Sequence, residues 1–480
     1  MRSLLRVLVV MSGCSLVAIA ACQWRAYLLH PAGASESAAV GVNATEVVGS
    51  ANVGGVSRAV VWRTNGPAIE YLSNVESGAS NLGGSTSIGG AIRVNGVFHA
   101  AYWPNSTAQP VDLMPKSTTF SSVSAISGSM QVGRYGIGAA LWSGTPNSIV
   151  ILTPVGATTA EALGTDGKYQ VGSAKFGTFQ DFPILWQGSK ESAINLTSPG
   201  ATGGVAWDVD NDMQVGVQNF TTGGPKAGIW HGTPQSFRSL DPYPTLSTQV
   251  YAIDNGTQIG YWIDRNGIRR PSLWTGTPQS WQDLFCYLPD GVDLADAYDV
   301  SVDGKATRIC GRVRINGVYQ AVLWVSEPVQ ERVAASFSVI EGHLYQGNVI
   351  SLRASDDDWV IVGPVVAGKS ARVTLQFNQV APLGTIPYFG ITVDGHLNST
   401  FNDRALVYAF NFLTNNWDLV RDAVPGRFYD APVYARIDSP AQYIHPVTRK
   451  VSARISFVHG NAETDWSAWV DRATWSFLAQ

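Results

Sequence analysis

The chain is 480 residues long with a formal net charge of −4, and only 14% of its residues are charged. That balance leaves no electrostatic footprint for nucleic acid. The 49 glycines and 16 tryptophans exclude a disordered, solvating chain and fit many short strands joined by tight turns.

The first segment reads as an address. Arg2 and Arg6 precede an apolar run from Val7 to Ala21 that ends in small residues. A run of about 15 residues is too short to span a bilayer, so residues 1–21 are expected to be a signal peptide. Two cleavages fit. Ile19-Ala20-Ala21-Cys22 resembles a bacterial lipobox, which makes Cys22 a lipid attachment site; Ala18-Ile19-Ala20 suits ordinary signal peptidase, cutting before Ala21. Both predict export, to the cell envelope on a lipid or to the extracellular space. No later segment reaches about 18 apolar residues, so membrane contact is expected only through that lipid.

From residue 40 to 325 one phrase recurs: a small apolar residue and glycine, a gap, then an apolar run ending in tryptophan. The glycines are read as Gly49, Gly89, Gly133, Gly172, Gly216, Gly260 and Gly311, and the tryptophans as Trp62, Trp103, Trp142, Trp186, Trp230, Trp274 and Trp324. Successive tryptophans lie 41, 39, 44, 44, 44 and 50 residues apart, the length of one supersecondary unit. The third copy shows four runs, Ser122–Ile126, Met130–Arg134, Ala139–Trp142 and Ser148–Leu152, with turn chemistry between them. Asn95-Gly96, Asn266-Gly267, Asn316-Gly317 and Asp303-Gly304 accept positive φ and close two-residue hairpins. Four antiparallel strands per copy is the shape of a propeller blade.

The fourth strand carries a leucine: Leu72, Leu113, Leu152, Leu196, Leu240 and Leu284, six against seven tryptophans. The seventh is expected at the other end of the chain. Ala26-Tyr27-Leu28-Leu29-His30-Pro31 reads like Ile149-Val150-Ile151-Leu152-Thr153-Pro154, so Leu29 would supply the outer strand of the last blade. A seven-bladed β-propeller over residues 25–326 follows, closed by the N-terminus.

The pattern of an Ala-rich strand, a Gln-Val-Gly strand, an Ala-Leu-Trp strand and a terminal leucine resembles the HAF-type extracellular repeats of bacterial surface proteins, over about 300 residues. His99-Ala100-Ala101 is the nearest approach to the tripeptide behind that name. The resemblance implies secretion and a repeat architecture, and brings no catalytic residues.

Val325-Ser326-Glu327-Pro328 ends the period, and residues 327–334 are expected to be a linker. Residues 335–480 alternate without helical periodicity: Val373, Leu375, Phe377; Tyr408, Phe410, Phe412; Val451, Ala453, Ile455, Phe457. They predict a jelly-roll-like β-sandwich, with Asn415-Asn416 turning one hairpin.

Candidates for chemistry are few. The seven histidines are scattered without zinc spacing, and no nucleophile elbow or phosphate loop is present, so no catalytic residue is assigned. Asp208, Asp210, Asn211 and Asp212 form an oxygen-rich turn at a position where other copies use Asp, Asn and Gly for geometry. Asp356, Asp357 and Asp358 precede a strand and are the candidate Ca2+ ligands, the one cofactor expectation. Trp207, Trp466 and Trp469 are the candidate ligand-binding aromatics. Three tryptophans, 466, 469 and 475, crowd the end of the chain, and one or two at most fit a core. Cys286 and Cys310 are expected to be buried thiols, with a disulfide as the alternative that export permits. The expected function is non-catalytic binding or scaffolding at the cell surface, towards glycan or a surface protein. The alternative is a polysaccharide-acting enzyme with the propeller as catalytic domain and the sandwich as carbohydrate-binding module.

Overall fold

The computed structural model describes residues 22–478, apart from 65–68, 83–85, 116–119, 178, 242–246, 264–266, 305, 354–357, 365–371, 400–402, 428–431 and 461–465. The signal-peptide expectation for residues 1–21 lies outside the described residues. The fold is all-β, with 3-10 turns as its only helical elements among the described residues.

Each copy of the repeat forms one antiparallel unit of four strands in chain order. Six are separate four-stranded sheets, beginning at Ala34, Ser77, Ser121, Thr159, Ala201 and Ser247. In the seventh, Val292–Val302, Thr307–Ile315 and Val318–Val333 pair in sequence, and the N-terminal strand Cys22–Leu28 adds itself to Val318–Val333 as the fourth. That strand starts at Cys22, three residues earlier than the expected Arg25.

The leucines decide the register. The N–H of Leu72, Leu113, Leu152, Leu196, Leu240 and Leu284 donates to the third-strand carbonyl of residue 59, 100, 139, 183, 227 and 271 respectively, at 2.8–2.9 Å. Leu29 does the same to Ala321, at 2.8 Å, across the chain from the other end. Two of the repeat tryptophans also hydrogen-bond to the neighbouring sheet: Trp103 Nε1 donates to Leu72 O, and Trp230 Nε1 to Leu196 O.

Core clusters run from each sheet to the next. The last joins Cys310, Ala321 and Leu323 of the seventh sheet to Ala39, Val47, Val60 and Trp62 of the first. First strands of successive sheets lie against one another, including the seventh against the first, so they form the inner wall of a ring. Radially packed sheets of this kind make a β-propeller.

The repeated glycine has one cause. A Cβ on Gly49, Gly133, Gly172, Gly216, Gly260 or Gly311 would stand 1.9–2.1 Å from a first-strand carbonyl oxygen. In the second sheet that contact belongs to Gly90, whose Cβ would meet Gly78 O at 2.1 Å, and not to Gly89. The expectation there was one residue out of register, because Gly89-Gly90 offers two glycines and only pairing distinguishes them (Gly90 opposes Ala101).

Carboxylates and one amide lock neighbouring first strands. Asn81 Oδ1 accepts from Ile126 N–H at 3.2 Å, Asp208 Oδ2 from Ile253 N–H at 3.0 Å, and Asp299 Oδ2 from Val42 N–H at 2.8 Å. Asp210 and Asp254 do the same one step along, to Asn255 and Val302. The acidic turn of the fifth sheet is therefore an inter-sheet lock: Asp208 and Asp210 hold the next strand, and Asn211 takes φ 57° in the turn.

Burial pushes the Asp208 carboxyl up to about 7, against the backbone N–H bonds that lower it and the nearby Asp210 and Asp254 that raise it further. Asp299 is raised well above the usual range for the same first reason. A raised folded-state value means the proton is held longer in the folded chain. Stability is therefore fully present below about pH 4 and is lost as pH rises through about 7. Asp208→Asn keeps the acceptor, as Asn81 does in the second sheet, and removes the charge. We expect the variant to gain about 2 kcal/mol over wild type at pH 8, less than the full shift because Asp208 keeps some solvent contact, and nothing at pH 4. Thermal unfolding against pH checks this; equal pH slopes in the two proteins would refute it.

Residues 327–334 are not a linker. The strand Val318–Val333 runs through them, pairing first with Cys22–Leu28 and then, over Val329–Val333, with Ala468–Leu478 near the C-terminus. The C-terminal residues form a five-stranded sheet and a second sheet built around Ala468–Leu478 and Phe389–Leu397, sharing one apolar core. The expected hairpin is present: Arg404–Asn411 pairs with Asn416–Ala423, and Asn415 takes φ 55°.

Cys286 and Cys310 are buried free thiols. Cys310 packs as a small core residue, whereas Cys286 sits in the 3-10 turn Phe285–Tyr287 and not on a strand.

Candidate functional site

Every first strand carries a β-bulge at the same place, and the first, fifth and seventh carry a second near their start. The extra residues are Val40, Ser80, Ser124, Leu163, Trp207, Tyr251 and Tyr298, read from register shifts opposite the repeated glycine. A bulge re-aims one side chain out of the alternating pattern. All seven are half-buried, and the residue before each is buried; because they sit on the first strands, they belong to the inner wall of the ring. One arc is small or aliphatic. The other, across the fifth to seventh sheets, is wholly aromatic.

The aromatic arc is continuous. Trp207 meets Tyr251 edge-on with centroids 5.4 Å apart, and Tyr251 lies 5.9 Å from Tyr298 and 5.8 Å from Tyr261. Burial raises the Tyr251 phenol, with Tyr261 adding to it, and burial then Asp296 raises that of Tyr298. Both hydroxyls therefore stay protonated as donors.

An ionic group sits against this arc. Asp296, fully buried, receives Arg269 Nη1 at 2.8 Å, Arg312 Nε at 3.1 Å and the Tyr298 hydroxyl at 3.0 Å. The two arginines come from different sheets. Arg269 lies over the Tyr261 ring at 4.2 Å and Arg312 over Tyr319 at 4.4 Å. Arg312 and Tyr319 also line a cavity of about 160 Å³ between the seventh and first sheets, with Glu36, Ser37, Ser50 and Asn52.

Glu161 occupies in the fourth sheet the position of Asp296 in the seventh: each contributes the carbonyl that the repeated glycine accommodates. Burial raises its carboxyl, Arg134 lowers it and Asp181 raises it. Acids thus recur at one repeat position on the inner strands, in the fourth and seventh sheets. The bulge hides them, since it breaks the alternation by which strand faces are read.

The sequence candidates separate. Trp207 lies on the arc. Trp469 is half-buried on the C-terminal unit, stacked on His396 at 5.6 Å and edge-on to Trp359 at 5.0 Å. Trp466 is not a surface platform: it is 5% exposed, belongs to the C-terminal core and stacks on His459. Trp475 is buried in the same core. Asp356 and Asp357 lie outside the described residues, and Asp358 is exposed just before the strand Val360–Gly363. Among the described residues no group of three or more His, Cys, Asp or Glu is placed to hold a metal ion.

Ser399, His459 and Asp403 cluster in the C-terminal unit without the geometry of a hydrolytic triad. Both contacts converge on His459 Nδ1, at 3.0 and 2.7 Å, and all three residues are buried.

No family model and no curated protein matches the chain. Among solved structures it is similar to the β-propeller domain of the Trilobed protease from Pyrococcus furiosus, at 9% identity and a TM-score of 0.44, over 61% of this chain and 94% of that one. Puromycin hydrolase matches at 12% identity and a TM-score of 0.41, over 65% of this chain and 59% of that one. A xylan-binding module matches at 13% identity and a TM-score of 0.22, over 32% and 97%.

Proposed function

We propose that the chain is an exported, non-catalytic binding protein: a seven-bladed β-propeller of HAF-like repeats followed by a jelly-roll-like sandwich, which takes glycan on its inner wall. The observation that carries this is the unbroken arc Trp207–Tyr251–Tyr298, one bulged aromatic from each of three consecutive sheets. Aromatic faces carry negative charge and attract the weakly positive C–H faces of sugar rings, while the flanking hydroxyl and guanidinium groups supply donors. Export rests on the apolar run before Cys22. If Cys22 is the acylated terminus, it is also the first paired residue of the seventh unit, and the ring would rest directly on the membrane.

The test is a glycan array with the mature protein, calcium present and absent, followed by titration of any ligand found. Trp207→Ala and Tyr251→Ala are each expected to weaken binding about tenfold or more. Unchanged binding in both variants, or no glycan bound at all, would overturn the reading. Release of reducing ends from pooled polysaccharides, abolished by Glu161→Gln, would replace it with the polysaccharide-acting enzyme, an alternative favoured by the raised Glu161 carboxyl.

A further inference from the structure

We infer that the glycan recognised at this wall is acidic, with a sugar carboxylate seated on Arg269 and Arg312. The inference rests on the proposed glycan reading and narrows its ligand class. Two guanidinium groups and one carboxylate meet at Asp296, so the cluster carries one net positive charge beside the aromatic arc. Asp296 is held under them with its side chain 1% exposed, whereas each arginine keeps 32% exposure. The buried partner is satisfied by these bonds and orients the arginines. It does not cap their outer edges.

The donors match a carboxylate in kind and in direction. Arg312 spends Nε on Asp296, and its two terminal nitrogens form an edge able to bind a planar carboxylate in a two-pronged manner. Arg269 spends one terminal nitrogen, and the guanidinium groups of Arg269 and Arg312 are held over the rings of Tyr261 and Tyr319. Among the described residues Glu36 is the one acidic side chain of the cavity that Arg312 lines, and it is exposed, where salt and water screen it. A neutral sugar would use the rings and leave the excess charge unanswered; an acidic one answers both.

The test compares an oligogalacturonate with its carboxyl-reduced neutral counterpart of the same length, titrated into the mature protein at about 50 and about 300 mM salt. The acidic oligomer is expected to bind at least about tenfold tighter at the lower salt and to lose most of that advantage at the higher. Arg312→Gln and Arg269→Gln should erase the advantage. Removing either arginine takes away one of the three partners of the buried Asp296 and can unsettle the fold, so Arg312→Lys serves as the second variant. It keeps the charge, should unfold at the wild-type temperature, and should lose the advantage through loss of the planar edge. A sulfated oligomer that binds better than the carboxylated one would overturn the carboxylate assignment. Equal binding of acidic and neutral oligomers, with Trp207→Ala weakening both, would overturn this inference and leave the glycan reading standing. Failure of every glycan would remove the reading beneath it.

Discussion

A chain shortened to begin at Ala34 should lose about 3 °C or more in its unfolding midpoint, and should associate on concentration. The strand Cys22–Leu28 is paired with Val318–Val333 over seven residue pairs, from Cys22 with Pro328 to Leu28 with Val322. Removing it strips Trp24, buried in the core between the sixth and seventh sheets, and the Leu29–Ala321 hydrogen bond. Burial of one tryptophan is worth about 3 kcal/mol, and the vacated edge of the long strand becomes a template for another chain. The edge matters doubly because that strand continues into the C-terminal unit, so fraying at one end is felt at the other. Calorimetry and light scattering of the two lengths check this. Supplying residues 22–33 as a peptide should restore part of the midpoint; an unchanged midpoint in the shortened chain would show that the N-terminal strand does not close the ring.

Gly216→Ala should cost more than about 3 kcal/mol and abolish soluble expression in a marginally stable background. The added Cβ would lie 2.1 Å from Val205 O and 2.9 Å from Ala206 Cα, both backbone atoms of the paired first strand, which cannot swing away as a side chain would. Relief requires the strand bearing Trp207 to shift, so the aromatic arc is disturbed with the fold. Gly276→Ala is the control. It sits at φ 87° in the third-to-fourth connection with nothing within 4 Å, so its cost is the backbone conformation alone, about 1 kcal/mol. Chemical denaturation of both variants separates steric from conformational cost. Equal effects would refute the close-approach account of the repeat.

The repeat length, the hairpin glycines and the six leucines were enough to count sheets and to place the seventh leucine at Leu29, because each is a local requirement stamped on every copy. Gly90 was legible only as one of two adjacent glycines. Trp466 was misread as a candidate platform because burial at a chain end depends on which sheet covers it, and no local pattern carries that. The linker expectation failed for a related reason: Glu327-Pro328 reads as a break, yet pairing with Cys22 and Gln23 on the strand's other edge carries the extended chain through it.

The candidate site was half legible. Trp207 stood out by its type, but nothing marked Tyr251 and Tyr298 as its companions. Their shared position is defined by a bulge, and a bulge is a mismatch between two strands rather than a property of one. Arg269, Asp296 and Arg312 are likewise separated in sequence and converge only once the sixth and seventh sheets pack.

By itself, then, the sequence determined the unit: four strands, their turns, the glycine that lets backbones approach, and the piece of the last unit carried at the front of the chain. Tertiary structure alone decided which side chains leave the cores for the inner wall, and that the aromatic ones fall on adjacent sheets beside a buried aspartate. Strand formation and turn geometry are settled within a few residues, whereas a wall is made of one residue from each of seven units, and only closing the ring brings them together.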